Sequence, residues 1–352
     1  MAELIDYLKY AVENEASDML IVAGGPAYAK IEGRIRPVDD VRLMPAQTEA
    51  LLTEIYAAAK RPMANYLESG DDDFSFSVGG LARFRVNAYR QRGSMAAVIR
   101  VVSFDIPDWQ KLRIPEQVMD LAETDHGMIL VTGTAGSGKS TTQACIIDRI
   151  NRTKDCHIIT LEDPIEYLHR NKMSVVSQRE IAIDTEDYLS ALRACLRQAP
   201  DVILLGEMRD AETIRTAMTA AETGHTLIAT LHTKGAVNTI DRIVDSFPST
   251  QQLQIRVQLA EVLHTVVSQQ LLPDVSGGLV PAYEIMHMTG AIRSLIRDNK
   301  SHQIDNAIAS GARDGMISMD QSILGLYREG KITKETALEF ADNTEQMRRA
   351  IG

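Results

Sequence analysis

The stretch GTAGSGKSTT at residues 133–142 constrains this chain more than any other, because it has the spacing of a phosphate-binding loop. Gly133, Gly138, Lys139 and Ser140 fit the pattern G-x-x-x-x-G-K-[ST]. An apolar run, MILV, precedes the loop, and apolar residues at helical spacing follow it, which predicts a strand, a loop and a helix. In that order, backbone N–H groups and the positive end of a helix face a phosphate. The sequence therefore predicts a nucleotide site rather than a structural glycine turn.

The side chains of this loop have separate expected roles. Lys139 is expected to neutralise the β- and γ-phosphates of ATP, and the Ser140 hydroxyl to bind Mg²⁺ as the cofactor. The residues expected to contact the nucleotide are Gly133, Thr134, Ala135, Gly136, Ser137, Gly138, Lys139, Ser140 and Thr141.

Composition limits the partners of the chain. A formal net charge of −11 argues against binding that is dominated by a nucleic-acid backbone. The three cysteines include no C-x-x-C pair, which fits a reducing compartment and gives no zinc site. No run approaches the length of about 18 apolar residues that a membrane span requires, and the N-terminus has no apolar signal core. We therefore expect a cytosolic protein that reaches a membrane only by binding something in it.

The 352 residues suit about two domains. Residues 1–102 read as a small α+β domain with helices at 3–14 and 45–59, and 103–115 as a proline-containing linker. In residues 116–288, short apolar strands alternate with helices, which predicts a parallel sheet with helices on both faces. Residues 289–352 are helical and polar. The predicted strands of the sheet are Met128–Thr132, His157–Leu161, Val202–Leu205 and Thr226–Thr230.

Carboxylates follow two of these strands. VILLGEMRD, residues 202–210, places Glu207 at the carboxyl end of a strand, where side chains of open α/β sheets face the ligand. Glu207 is expected to bind the Mg²⁺-water shell, to activate water, or both; the alternative is a solvated loop glutamate.

ITLEDPIEYLH, residues 159–169, crowds Glu162, Asp163 and Glu166 together, where they repel one another unless a cation or a water network uses them. Glu162 and Asp163 are expected near the metal, and Glu166 to orient or deprotonate water. The alternative is an acidic helix N-terminus.

Two histidines, His225 and His232, bracket the last predicted strand. Neutral histidine can hydrogen-bond a γ-phosphate oxygen or a catalytic carboxylate. Both cannot face one phosphate from opposite ends of a strand, so His232, at the carboxyl end, is the stronger candidate. A structural role is the alternative for each.

Five arginines lie on the predicted strands of the first domain: Arg83, Arg85, Arg90, Arg92 and Arg100. A solvated basic face is one explanation. The other is that arginines from a neighbouring subunit of a ring stabilise charge on a γ-phosphate. The residues by themselves leave the two equal.

Taken together, GSGKSTT, ITLEDPIEYLH, RQAPDVILLGEMRD and TAAETGHTLIATLHT resemble, in order and spacing, the secretion ATPases of type II secretion and type IV pilus systems. Further segments, SDMLIV, RFRVNAYRQRG, ETIRTAMTAAETGH, NTIDRIVDSFP and AIRSLIRDNK, are similar to the pilus retraction ATPases of that superfamily. The likeness extends over residues 3–340. The chain lacks the four-cysteine zinc insertion typical of assembly ATPases, which favours retraction over extension.

The resemblance implies a homohexameric motor with a PAS-like N-terminal domain and a RecA-like P-loop domain. It also implies an inner-membrane platform protein as partner and a paralogous pilus ATPase as a further one. The acidic charge balance predicts no direct nucleic-acid contact. By this likeness Gly133–Ser140 is the Walker A loop, Gly206-Glu207 ends Walker B, 162–166 is the aspartate box and His225–His232 the histidine box. Arg83, Arg85 and Arg100 would complete the nucleotide site across subunits.

Two pairs of adjacent residues depart from the family pattern. Thr134-Ala135 replaces Pro-Thr in the P-loop, and Lys234-Gly235 replaces Thr-Ser after His232. Three alternatives to a retraction motor are kept: a pilus or secretion assembly ATPase, a nucleic-acid translocase of the same fold, and a non-catalytic subunit that binds ATP.

Overall fold

The computed structural model describes residues 3–31, 33–102 and 104–352. The chain divides into two compact units. The first reaches to Asp105 and includes Glu166–Leu168, and the second comprises Ile106–Ile165 and His169–Gly352.

The first unit is built on an antiparallel sheet of six strands in the order β3-β2-β1-β6-β5-β4. Its strands are β1 Asp18–Ile21, β2 Tyr28–Ile31, β3 Arg34–Pro37, β4 Asp71–Val78, β5 Ala82–Gln91 and β6 Ser94–Val102. Its helices are α1 Leu4–Glu13, α2 Pro45–Ala58 and α3 Ala64–Ser69. Because side chains alternate along a strand, Phe84 and Val86 of β5 join the core while Arg83 and Arg85 lie on the opposite face.

The second unit contains a sheet of seven strands in the order β13-β12-β7-β11-β10-β8-β9. All neighbours in it are parallel except β12 and β13. The strands are β7 Gly127–Thr132, β8 His157–Glu162, β9 Val175–Glu180, β10 Val202–Leu205, β11 Thr226–Leu231, β12 Leu263–Pro273 and β13 Leu279–His287.

Helices cover both faces of this sheet. They are α4 Glu116–Met119, α5 Lys139–Thr153, α6 Tyr188–Cys195, α7 Ala211–Glu222, α8 Ala236–Asp245, α9 Ser249–Val262, α10 Gly290–Arg297, α11 Ile304–Ser310, α12 Met319–Arg328, α13 Lys334–Phe340 and α14 Thr344–Ile351. Every residue of β7, β10 and β11 is buried, which explains their continuous apolar runs. Met128 and Leu130 of β7 pack into the core of one face, and Ile129 and Val131 into that of the other.

The predicted fold class is confirmed. The four predicted strands are present, and residues 289–352 form helices α10–α14. Since β7, β8, β10 and β11 run parallel, their carboxyl ends share one edge of the sheet. The P-loop, Glu162, Glu207 and His232 all follow strands at that edge.

The interpretation of 103–115 as a linker needs correction, with Ser103 lying outside the described residues. From Ile106 onward the segment belongs to the second unit. Ile114 is buried, and Trp109 and Leu112 pack against the core behind β7. The apolar side chains between the prolines hold this segment on that core. In the part of the chain that the structure describes, no helix has the length and apolar character needed to cross a bilayer.

Candidate nucleotide site

The P-loop connects β7 to α5 through glycines that tolerate no side chain. Gly133 and Gly138 have φ values of 141° and 90°. A Cβ on Gly133 would lie 2.3 Å from the Gln269 carbonyl oxygen, and one on Gly138 would lie 2.7 Å from Gln269 Nε2. Gln269 of β12 is itself buried and accepts a hydrogen bond of 2.8 Å from Thr142 Oγ1. The loop therefore rests on Gln269, which requires glycine at both positions.

Lys139 lies inside the loop, 8% exposed. Its Nζ donates to the carbonyl oxygens of Gly133 at 2.9 Å and Thr134 at 2.8 Å. Two buried hydroxyl oxygens nearby in the sequence, Thr132 Oγ1 and Ser137 Oγ, have no hydrogen-bond partner within the described chain. Buried hydroxyls are normally hydrogen-bonded, so these two oxygens are unusual polar atoms beside the loop.

Glu207 follows β10 and contacts two side chains. Its side chain is 13% exposed; one carboxylate oxygen pairs with Arg209, and the other lies 3.5 Å from His232 Nε2. Gly206 permits this turn, because a Cβ there would lie 2.7 Å from the Tyr188 hydroxyl. Since β11 lies between β7 and β10, His232 stands between the P-loop strand and the Glu207 strand.

His225 lies at the opposite end of β11 and is not brought to this edge. Its Nδ1 is 2.9 Å from the Ala220 carbonyl oxygen and 3.2 Å from Thr223 Oγ1, both at the end of α7. The structure thus gives His225 contacts that stabilise the α7–β11 turn.

The three carboxylates at the end of β8 belong to different units of the chain: Glu162 and Asp163 to the second and Glu166 to the first. Glu162 ends the strand, and its Oε1 accepts bonds of 2.6 Å from Thr160 Oγ1 and 3.2 Å from Gln178 Nε2. Asp163 is exposed, whereas Glu166, also exposed, groups with the first unit.

Tyr188 of α6 is a neighbour of these acids that no sequence motif indicates. Burial, together with the negative charges of Glu207 and Asp163, raises the pKa of Tyr188 above its ordinary value. Its phenol therefore stays protonated and able to donate a hydrogen bond beside the two carboxylates.

Two of the predicted arginines, Arg85 and Arg100, have carboxylate partners within the first unit. Arg85 donates to both oxygens of Asp73, at 3.0 and 2.7 Å. Arg100 Nε donates to Asp18 Oδ1 at 2.9 Å. Arg83 lies on the same face of β5 as Arg85. Their predicted role in a neighbouring subunit's site stays a prediction.

A cavity of about 340 Å³ adjoins the start of α5. Its volume is in the range of small-molecule sites. Its lining includes Lys111, Arg113, Gly138, Thr141, Thr142, Gln269 and Tyr283. Sequence reasoning missed most of these residues because they come from segments far apart in the chain.

The residues present fit a nucleotide-bound Mg²⁺. Among the described residues, no group of three or more His, Cys, Asp or Glu is arranged to hold a metal by itself. Mg²⁺ that bridges phosphates keeps several waters and needs only one or two protein oxygens. The Ser140 hydroxyl in the first turn of α5 and the Glu207 carboxylate can supply them.

Comparison with known proteins agrees with this site. Residues 2–336 match the family model described as Type II/IV secretion system protein. The Type IV pilus retractation ATPase PilT of Pseudomonas aeruginosa is 43% identical over 339 residues, covering 96% of this chain and 98% of that protein. The Twitching motility protein of Neisseria gonorrhoeae is 43% identical over 319 residues, covering 90% and 85%.

A solved structure extends the likeness to the whole fold. The crystal structure of the pilus retraction motor PilT with bound ADP matches with a TM-score of 0.90 and 45% identity, covering 99% of this chain and 100% of that one. The resemblance to retraction ATPases that the motifs indicate is confirmed. The chain therefore belongs to the type II/IV secretion system protein family, and within it to the PilT-like ATPases.

Proposed function

We propose that this chain is an ATP-hydrolysing motor that drives type IV pilus retraction, and with it twitching motility. The observation that carries the proposal is a complete P-loop at the sheet edge where Glu207 contacts His232. The relatives named for pilus retraction and twitching motility match nearly the whole chain, which supports pilus retraction as the work that hydrolysis drives.

Hydrolysis proceeds by in-line attack of water on the γ-phosphorus. The bond from the water oxygen forms as the bond to the β,γ-bridging oxygen breaks, and ADP and phosphate leave. Lys139, transferred from the carbonyl oxygens of Gly133 and Thr134 to the phosphates, stabilises the charge on the transferred group. The cavity beside α5 receives the adenosine part of the nucleotide.

Glu207 is the carboxylate we assign to the attacking water, because it follows β10 at the P-loop edge of the sheet and contacts His232. A carboxylate oxygen of Glu207 accepts the proton of the water, and His232, 3.5 Å from that carboxylate, is the residue we propose to respond to the γ-phosphate. Glu166 is the further glutamate that we propose to orient the water.

Mg²⁺, when bound, supplies positive charge that offsets the negative charge of the β- and γ-phosphate oxygens. Ser140 and Glu207 are the residues we propose to hold it, with Glu162 and Asp163 acting through water. Burial and the negative charges of Glu207, Asp163 and Glu162 raise the pKa of Tyr188, so its hydroxyl stays protonated beside the site.

The working form we propose is a homohexamer of chains with a PAS-like domain at 1–102 and a RecA-like core at 116–288. Arg83, Arg85 and Arg100 reach the nucleotide of a neighbouring subunit, and Arg85 and Arg100 exchange their carboxylate partners for phosphate there. The motor acts in the cytoplasm, at the inner face of the membrane, on a platform protein of the pilus machine. A paralogous pilus ATPase is a further partner.

Steady-state ATPase assays on purified protein test the chemistry. We expect Mg²⁺-dependent turnover that Glu207→Ala reduces about 10²-fold or more while ADP binding is retained. Lys139→Ala should lose binding as well, because its ammonium is the phosphate contact. Light scattering should give a sixfold assembly with nucleotide. Binding without turnover in the wild type, or turnover that requires DNA, would contradict the proposal.

A second experiment tests whether the chain drives pilus retraction. A twitching-negative strain that lacks its own retraction ATPase is complemented with the wild type or with Glu207→Ala. Spreading on a surface should return with the wild type alone. Wild-type ATPase activity without any recovery of spreading would restrict the function to hydrolysis.

A further inference from the structure

The loop that carries His232 leads directly into helix α8, and the start of this helix is held by two neighbouring strands. Ala236 N donates to Glu284 Oε1 of β13 at 2.7 Å. Gly235 N donates to Ser268 Oγ of β12 at 2.9 Å. Ser268 and Glu284 are cross-strand partners, so both anchors come from one position of the β12–β13 ladder.

The adjacent position of the same ladder holds the P-loop. Gln269 and Tyr283 are the next cross-strand pair, and Gln269 accepts the hydrogen bond of Thr142 in α5. Successive side chains of a strand point to opposite faces of a sheet. One pair of strands therefore holds the P-loop helix on one face and the His232 loop on the other.

Glu284 is an unusual residue for such an anchor. It is 5% exposed, and within the described chain it forms no ion pair. Besides Ala236 N, the backbone N–H of Met319 at the start of α12 favours its charged form. A buried carboxylate is costly without such partners, so an uncharged side chain would be the simpler choice for packing alone.

We infer that Glu284 is a positioning residue for hydrolysis: it holds the start of α8 so that His232 stays within reach of the Glu207 carboxylate. The inference rests on the proposed function, since ATP hydrolysis is the reaction that it positions. Glu284 does not touch the nucleotide, and its effect reaches the reaction through the loop of residues 232–235.

The charges around Glu284 make its hydrogen bond with Ala236 N sensitive to pH. Burial, together with the negative charges of Asp342 before α14 and Asp305 on α11, raises the pKa of Glu284 to about 7. Asp320 of α12 and Lys234 of the loop face Asp342 in turn. A charged carboxylate is the stronger acceptor at a helix N-terminus. The hydrogen bond from Ala236 N to Glu284 therefore weakens as the pH falls through about 7.

Glu284→Gln is the matched variant, because glutamine keeps a carbonyl oxygen for Ala236 N but does not titrate. We expect kcat of the wild type to exceed that of the variant severalfold at pH 8, with KM for ATP little changed. The ratio of the two kcat values should fall towards one at pH 6. Groups that titrate in both proteins cancel in this ratio. A ratio that stays constant with pH would overturn the inference.

Ser268→Ala removes the other anchor without removing a titratable group. Its kcat should also be lower than that of the wild type, but by a factor that does not change with pH. If the kcat ratio for Ser268→Ala shows the same dependence on pH as that for Glu284→Gln, the effect does not belong to Glu284.

Hydrogen exchange gives a readout that needs no hydrolysis. In the nucleotide-free wild type, protection of the Ala236 amide, corrected for the intrinsic rate, should decrease as the pH falls through about 7. In Glu284→Gln it should be constant. Absent turnover with this exchange pattern would contradict the proposed function only. Normal turnover with constant protection would contradict the inference only.

Discussion

At the residue scale, the glycines of the nucleotide loop differ in whether another atom already occupies the space that a side chain would need. Gly136 and Gly138 both have positive φ values, 76° and 90°. No atom lies within 4 Å of a Cβ built on Gly136, whereas Gln269 Nε2 lies 2.7 Å from one on Gly138. Backbone strain is thus common to both positions, and the steric clash belongs to Gly138 alone.

Gly138→Ala should therefore weaken nucleotide binding by more than about tenfold relative to Gly136→Ala, which bears only the left-handed backbone cost of about 1–2 kcal/mol. Calorimetric titration with ADP and Mg²⁺ measures both. Equal affinities for the two variants would show that Gln269 moves aside without cost.

Alanine substitutions of the two histidines should also have different effects. His232→Ala should lower kcat by about 10²-fold, because its Nε2 lies 3.5 Å from a Glu207 oxygen. His225→Ala should leave kcat within about threefold and lower the free energy of unfolding by about 1 kcal/mol, since its bonds close the α7 turn. Steady-state kinetics and urea unfolding of both variants check this. A larger loss of kcat in His225→Ala would contradict the placement.

At the scale of elements, a carboxylate ties helix α2 to strand β4 in the first unit. Asp72 accepts from the Tyr56 hydroxyl at 3.0 Å and from two nitrogens of Arg61, at 3.0 and 2.8 Å. The Asp72 side chain is buried. Burial and the Asp72 hydrogen bond keep the pKa of Tyr56 well above its ordinary value, so its hydroxyl remains a donor.

Asp72→Ala should destabilise the first unit by about 3 kcal/mol, because it leaves Arg61 and Tyr56 without their acceptor. Hydrogen exchange of the β4 and β5 amides reports this directly. Asp73→Ala on the same strand is the control, since its pair with Arg85 is more exposed. Similar exchange rates in the two variants would show that the Asp72 network adds little.

At the scale of the whole molecule, the single tryptophan lies in the unit that carries the P-loop. Trp109 packs against the core behind β7, so its fluorescence follows unfolding of that unit. ADP with Mg²⁺ at about 100 times its Kd should raise the stability of the unit by about 2.7 kcal/mol. Thermal unfolding followed at Trp109 measures the shift, and Lys139→Ala should abolish it. A shift that persists in that variant would show binding elsewhere.

The free energy of complete unfolding, which exposes Glu284 to water, should also depend on pH, in the direction opposite to the local hydrogen bond from Ala236 N. The folded-state pKa of Glu284, raised to about 7, exceeds the ordinary value of 4.5, so the folded state binds the proton more tightly. The stability that this supplies is complete below about pH 4.5 and is lost as the pH rises through about 7, on the order of 3 kcal/mol in all. Urea unfolding between pH 5 and about 8 should show this loss in the wild type and not in Glu284→Gln. Parallel curves for the two proteins would contradict it.

The sequence by itself determined the features that are local. The P-loop is one contiguous stretch, and β7, β10 and β11 are continuous apolar runs because both faces of the sheet are covered. Parallel alternation then fixes that Glu207 and His232 follow strands at the P-loop edge. These regularities were enough for the fold class and for the family.

Only the tertiary structure decided which distant residues complete the site. Strand β12 contains three buried polar residues, Thr265, Ser268 and Gln269. They interrupt the apolar run by which a buried strand is recognised in a sequence. Edge strand β9 is likewise polar, and the apolar residues of 106–115 read as a linker until their core was known. Tyr188, Gln269 and Glu284 act through contacts between segments far apart in the chain, and no local pattern records such contacts.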